Sequence, residues 1–138
     1  MEKDGRRKVM VFGTFAVLHP GHVYFFREAK KRGDYLIAVI ARDVNVKKIK
    51  GFLPKLNERA RREMVGAIKF VDEAVLGGKF DLYKLILKYK PDVICLGYDQ
   101  KIPENFKDEL QKRGTAAKIV RLKAYWPQKY KSSLILNS

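Results

Sequence analysis

Short apolar blocks alternate with longer polar or amphipathic stretches along the whole chain. Apolar runs occupy residues 8–12, 35–40, 71–76, 93–96 and 117–122, and each has the length of a buried strand. The 35–40 run is apolar at every position, which is typical of a central strand in a parallel sheet covered by helices on both faces. The pattern therefore predicts five strands.

The stretches between these blocks predict helices. Three of them begin at residues that favour a helix start, namely Pro20, Asn57 and Asp81. The predicted helices cover about residues 20–32, 57–67, 81–89 and 103–112, and a last one begins near Ser132. Residues 42–56 are polar, lysine-rich and contain glycine and proline, so a loop is predicted there.

This alternation predicts an α/β fold, namely a single-domain, doubly wound, Rossmann-like sheet of about five parallel strands with flanking helices over residues 1–138. In such sheets the ligand binds at the carboxyl ends of the strands. Residues 13–22, 42–50 and 97–100 follow three of these ends, so we expect them to converge on one site.

The formal net charge of +15 favours polyanionic partners such as nucleotides, phosphorylated metabolites or nucleic acid. No apolar run reaches about 18 residues, and the N-terminus is charged. A cytoplasmic protein without a membrane partner is therefore expected. A basic nucleic-acid-binding module stays an alternative, but helix-turn-helix, zinc-finger and aromatic-basic strand patterns are missing from the sequence.

His19 and His22 are the chain's two histidines, and both lie at a predicted strand-to-helix junction. Such a junction offers unpaired backbone N–H groups and the positive end of a helix dipole, which together form an anion site. Gly13 lets the backbone approach a phosphate, and Thr14 offers a hydroxyl donor. The imidazoles are predicted to stabilise charge in an in-line phosphoryl displacement. The alternatives are a helix cap with one packed histidine, and metal ligation by the pair, for which further zinc ligands are lacking.

The segment Gly13-Thr14-Phe15-x-x-x-His19-x-Gly21-His22 resembles the signature of the cytidylyltransferase-like nucleotidyltransferases. Members of this superfamily join a nucleoside triphosphate to a phosphorylated metabolite and release pyrophosphate. The resemblance implies catalytic roles for both histidines and nucleotide-binding roles for the remaining residues of the signature. One departure is Ala16, at a position where the superfamily usually has aspartate.

The resemblance continues over most of the chain and implies further site residues. Lys48 and Lys50 match lysines that contact the triphosphate and the substrate phosphate, and both are assigned to catalysis. The other matches imply nucleotide binding. They are Arg59 in the following helix, Gly97, Asp99 and Gln100 in a loop near the base and ribose, and Ser132 and Ser133 at a final helix N-terminus.

Within the superfamily, the stretches 46–51, 61–65, 71–77 and 90–100 resemble the archaeal-type FAD synthases. The implied reaction transfers AMP from ATP to FMN and gives FAD and pyrophosphate, with a divalent cation expected to be Mg²⁺. Trp126 is a candidate wall for a flat ring. The alternative is a cytidylyltransferase that uses CTP with glycerol-phosphate or another phosphorylated alcohol. The sequence also leaves open whether the chain forms a homodimer.

Overall fold

The computed structural model of the chain describes residues 5–124. Its strands are β1 (Lys8–Gly13), β2 (Tyr35–Ile40), β3 (Glu73–Leu76), β4 (Val93–Leu96) and β5 (Lys118–Arg121). They form one sheet in the order β3-β2-β1-β4-β5, and every neighbouring pair is parallel. The prediction of an α/β fold with five parallel strands is confirmed.

The helices are α1 (Pro20–Lys30), α2 (Asp43–Lys50), α3 (Glu58–Gly66), α4 (Lys84–Tyr89) and α5 (Phe106–Lys112). Asn57 caps α3 as predicted, because its side chain accepts the Ala60 N–H at 2.9 Å. Helix α4 begins later than predicted. The Asp81 carboxylate instead accepts the Tyr83 N–H at 2.9 Å, in a turn that precedes the helix. The helix predicted near Ser132 lies outside the described residues.

The loop prediction for residues 42–56 is wrong, because the segment contains α2. Only Val46 of this helix is buried, so the apolar periodicity that marks a helix is missing from the sequence. Electrostatics favour the helix instead, with Asp43 in its first turn and three lysines in its last. Gly51 ends it in a left-handed conformation with φ 85°. Lys48 and Lys50 are therefore helical residues.

Two layers of helices enclose the sheet. Helices α1 and α3 cover one face, where Phe26 and Val65 pack against strand residues. Helices α4 and α5 cover the other face, where Ile86 and Phe106 pack. The chain proceeds from β1 to β2 and β3 and then returns to place β4 on the other side of β1. The carboxyl ends of β1 and β4 thus form a topological switch point, where ligands bind in open α/β sheets.

Candidate active site

The loop that follows β1 is shaped by Phe15. This residue has φ 52°, a left-handed conformation that residues with side chains rarely adopt. Its ring folds back over Gly13, where an added Cβ would lie 2.6 Å from the Phe15 Cζ atom. The same ring contacts His22 edge-on, with centroids 5.5 Å apart. The Phe15 ring, which lies over Gly13, therefore forms the surface against which the second histidine of the signature packs.

His19 is the N-cap of α1, and its ring fixes the first turn of that helix. Its Nδ1 accepts the Gly21 N–H at 3.1 Å, and its carbonyl oxygen accepts the His22 N–H at 2.9 Å. Because Nδ1 accepts, the neutral ring carries its proton on Nε2. The expectation of unpaired backbone N–H groups is wrong for Gly21 and His22, since the cap uses both. The features of this junction that attract an anion are therefore the imidazoles and the positive end of the helix dipole.

The His22 ring stacks on that of His19, with centroids 3.9 Å apart and planes inclined by 27°. Burial is the main reason that the pKa of His22 falls to about 4, and the neighbouring His19 lowers this pKa further. A hydrogen bond with the backbone of Val17 raises it, but by less. Burial also lowers the pKa of His19. The Nδ1 atom of His22 is buried without a hydrogen-bond partner in the part of the chain that the structure describes.

The side chain of Arg61, on α3, is fully buried and connects three segments around this site. Nη1 donates to the Thr14 carbonyl at 2.9 Å, Nη2 to the Asp43 carboxylate at 2.6 Å, and Nε to the Leu56 carbonyl at 3.0 Å. A buried charge is tolerated only when it is paired and hydrogen-bonded. One guanidinium therefore holds the β1 loop, the start of α2 and the approach to α3 at fixed positions.

The sequence pattern points to Arg59, whereas the structure places Arg61 beside the site. Arg59 is exposed in the first turn of α3. Arg61 lies four residues before the buried Val65, and residues at that spacing share one face of a helix. This spacing is the sequence signal that distinguishes the inward-facing arginine.

Helix α2 is anchored at its first residue. The Asp43 N–H donates to the Glu58 carboxylate at 2.8 Å, and the Glu58 N–H donates to the Asp43 carboxylate at 3.2 Å. Together with Arg61, this reciprocal pair fixes the start of α2 next to the β1 loop. Lys48 and Lys50 are exposed further along the same helix. The structure thus brings together the 13–22 and 42–50 segments, as predicted.

The 97–100 loop is joined to the end of β1 by the side chain of Gln100. Its Oε1 accepts the Gly97 N–H at 3.0 Å, and its Nε2 donates to the Phe12 carbonyl at 3.1 Å. Arg121 of β5 donates from Nη1 to the Gly97 and Gln100 carbonyls, at 2.8 Å each. Asp99 is exposed in this loop. The third predicted segment therefore also reaches the site. Sequence reasoning missed the contribution of Arg121, because no local pattern marks a residue that bonds to this loop.

No group of three or more histidine, cysteine, aspartate or glutamate side chains that could hold a metal ion occurs within residues 5–124. No helix in these residues is long and apolar enough to cross a bilayer. Ser132, Ser133 and Trp126 lie outside the described part of the chain, so their roles stay predictions.

The parallel α/β fold agrees with comparisons to known proteins. A family model described as cytidylyltransferase-like matches residues 10–138. The chain therefore belongs to the cytidylyltransferase-like family and is a nucleotidyltransferase. An FAD synthase from Ferroglobus placidus is 52% identical over 120 residues, which cover 86% of this chain and 77% of that protein. An FAD synthase from Archaeoglobus profundus is 46% identical over 128 residues, covering 91% and 81%.

Solved structures support the same fold. A crystal structure described as the lipopolysaccharide core biosynthesis protein from Thermoplasma volcanium has a TM-score of 0.82 and 40% identity, covering 88% of this chain and 99% of that one. A pantoate-beta-alanine ligase from Francisella tularensis has a TM-score of 0.62 at 16% identity, covering 98% of this chain and 69% of that one. The second likeness indicates the fold alone.

Proposed function

We propose that this nucleotidyltransferase transfers AMP from ATP to FMN and forms FAD and pyrophosphate. The stacked His19–His22 pair at the start of α1 is the observation that supports nucleotidyl transfer, because two imidazoles stand at the positive end of a helix dipole, which favours a bound anion. The choice of FMN follows the archaeal FAD synthases, which are 40–52% identical to this chain over most of its length.

The reaction is an in-line displacement at phosphorus. An FMN phosphate oxygen forms a bond to the α-phosphorus of ATP. The bond from that phosphorus to the oxygen bridging to the β-phosphate breaks, and pyrophosphate leaves with the electron pair. Catalysis of this kind depends on positioning and charge stabilisation, so it needs no covalent nucleophile on the protein.

His19 and His22 stabilise the negative charge on the α-phosphate and on the bridging oxygen. Both rings are neutral in the free enzyme at neutral pH, because burial lowers their pKa values. An adjacent phosphate favours the protonated form and raises these pKa values. Once protonated, an imidazole donates hydrogen bonds to phosphate oxygens.

The remaining predicted residues hold the substrates. Lys48 and Lys50 contact the incoming and leaving phosphates from the exposed side of α2. Asp99 binds the ribose hydroxyls at the loop that Gln100 and Arg121 stabilise. Ser132 and Ser133 cradle the β- and γ-phosphates.

The family generally uses a divalent cation, and we propose Mg²⁺ for this chain. Mg²⁺ keeps several of its waters and is commonly bound through substrate phosphates. This mode fits a site whose described residues form no group of three carboxylate, imidazole or thiolate ligands. When bound, the ion neutralises charge on the triphosphate, while the imidazoles and lysines of the chain orient the reacting groups.

The test is an assay of the purified chain with ATP or CTP, each combined with FMN, glycerol 3-phosphate or other phosphorylated alcohols. Pyrophosphate release reports nucleotidyl transfer, and chromatography identifies the product. We expect release with ATP and FMN, with FAD as the product. If pyrophosphate is released only with CTP and a phosphorylated alcohol, that alcohol is the acceptor and the assignment of FMN is wrong. Tight duplex binding that falls steeply with salt, without turnover, would favour the nucleic-acid-binding alternative.

A further inference from the structure

Large apolar side chains are exposed on two segments that follow the carboxyl ends of β2 and β3. Ile49 is 82% exposed, Phe52 and Leu53 are each 56% exposed, and Phe80 is 99% exposed. Single exposed apolar residues are ordinary, but a concentration of them at one edge of a domain indicates a binding surface. We refer to Ile49, Phe52, Leu53 and Phe80 as the apolar edge.

A hydrogen bond holds the two segments of the apolar edge together. The Asn45 side chain donates from Nδ2 to the Gly78 carbonyl at 3.2 Å, which ties α2 to the loop after β3. Ile49 follows Asn45 by one helical turn and shares its helix face. Phe80 follows Gly78 by two residues. The exposed isoleucine and the exposed phenylalanine thus lie on segments that are fixed to each other.

The apolar edge extends from the phosphate site along α2. The guanidinium of Arg61 contacts both Thr14 and Asp43, so the first turn of α2 lies directly beside the β1 loop. The helix has eight residues, which corresponds to about 12 Å. Ile49 and Phe52 therefore lie about one short helix length from the loop that leads to the histidines. A ligand with a phosphate at one end and a ring at the other would span this distance.

Positive charge accompanies the apolar edge. Lys47, Lys48 and Lys50 occupy the last turn of α2, and the exposed Lys79 precedes Phe80. Cations beside aromatic and aliphatic side chains suit an anionic ligand that also has a flat, apolar ring. A phosphorylated alcohol would use the lysines but would leave the phenylalanines without a partner.

We propose that the apolar edge binds the isoalloxazine ring of FMN, while its phosphate lies toward the histidines. This inference rests on the proposed function and assigns the residues that select a flavin over a small phosphorylated acceptor. Phe80 and Phe52 supply ring contacts, and Ile49 supplies an aliphatic surface. Aromatic contacts of this kind stabilise a complex beyond the effect of the area that they bury.

The test compares Phe80→Ala and Phe52→Ala with wild type in steady-state FAD formation. Each variant is expected to raise the KM for FMN about 5- to 10-fold and to leave the KM for ATP within about twofold, because the ring contact is confined to the acceptor. Phe80→Trp keeps an aromatic ring and is expected to restore the KM. Met64→Ala is the matched control, since Met64 is 51% exposed but lies on α3, outside the apolar edge. Thermal unfolding verifies that each variant is folded.

Direct measurement of FMN binding distinguishes the proposed function from the assignment of the apolar edge as the ring site. Wild type is expected to quench FMN fluorescence without ATP, and Phe80→Ala is expected to weaken that binding by a similar factor. If wild type forms FAD while both alanine variants keep the wild-type KM for FMN, the apolar edge is not the ring site, although the function stands. If wild type uses another acceptor and not FMN, the function and this inference both fail.

A second copy of the chain is the competing occupant of this surface. Sedimentation of wild type and Phe80→Ala distinguishes it. A wild-type dimer that becomes a monomer in the variant, at unchanged KM for FMN, would overturn the ring assignment in favour of a dimer contact. The same sedimentation state in both proteins, together with a raised KM for FMN, supports the ring assignment.

Discussion

Nη1 of Arg61 donates a hydrogen bond to the carbonyl oxygen of Thr14 at 2.9 Å, between residues 47 positions apart in the chain. The contact determines where the backbone of the β1 loop lies relative to α3. Since the same guanidinium binds Asp43 at the start of α2, the histidine segment and the lysine helix share one buried support. Their relative positions therefore depend on a residue that lies in neither segment.

Arg61→Met is expected to destabilise the fold. The substitution leaves the Asp43 carboxylate and the carbonyls of Thr14 and Leu56 without this donor. Breaking a buried pair of this kind costs about 3–5 kcal/mol, and the partial exposure of Asp43 places the expected loss of unfolding free energy near the lower end, about 3 kcal/mol. Urea unfolding measures it. Arg62→Met, at an exposed position of the same helix, is the control and should change stability by less than about 0.5 kcal/mol.

His22→Gln is expected to lower kcat by about 10²- to 10³-fold, which is typical for the loss of one transition-state donor. Because the His22 ring packs against Phe15 and His19, thermal unfolding first verifies that the variant is folded. Rapid-quench or steady-state FAD formation measures the effect. Turnover near the wild-type rate in a folded His22→Gln protein would exclude the role assigned to this imidazole.

The two roles of His19, helix cap and phosphate ligand, are separable by substitution. Asparagine is a good N-cap, so His19→Asn keeps the cap function while it removes the imidazole. His19→Ala removes both, and we expect it to cost about 1 kcal/mol more in unfolding free energy. Both variants should lose kcat to a similar extent. Full activity in His19→Asn would mean that the residue serves only as a cap.

The pKa of His22, about 4, makes the stability of the free protein depend on pH in a defined window. A histidine with a lowered folded-state pKa contributes stability that is fully present above its ordinary value of 6.5 and is lost as pH falls toward 4. The loss attributable to His22 is at most about 3 kcal/mol. His22→Gln should show a shallower decrease in unfolding free energy over this range.

NMR titration tests the same assignment at the atom level, because the chain has only two histidines. One imidazole should titrate near pH 4, and it should disappear from the spectrum of His22→Gln. A nonhydrolysable ATP analogue should raise the pKa of that imidazole, since a phosphate favours its protonated form. An unchanged pKa on saturation with the analogue would contradict contact between His22 and the phosphates.

Arg121→Met is expected to raise the KM for ATP several-fold and to leave kcat nearly unchanged. Arg121 donates to the Gly97 and Gln100 carbonyls at 2.8 Å each, so its removal frees the loop that carries Asp99. A hydrogen bond of this kind contributes about 1 kcal/mol. Lys118→Met, at another exposed position of β5, is the control. Equal effects of both substitutions would indicate loss of surface charge, not loss of the loop contacts.

The sequence predicts most of the fold because the signals involved are local. Apolar blocks of strand length mark all five strands, and Pro20 and Asn57 mark the starts of two helices. Helix α2 escapes prediction because its stability comes from end charges, a glycine terminus and contacts with α3, while only Val46 contributes an apolar position. Where the helix signal depends on neighbours distant in sequence, composition alone suggests a loop.

The sequence by itself determined the alternating α/β pattern and the histidine turn, since both depend on residues that are close together in the chain. Tertiary structure decided which polar groups support that turn. It placed Arg61, not Arg59, against Thr14, and it bonded the two amide atoms of Gln100 to Phe12 of β1 and to Gly97, which follows β4. It also lowered the pKa of His22, because burial and a stacked neighbour exist only in the folded chain. Burial and long-range contact are properties of the packed molecule, so no local pattern contains them.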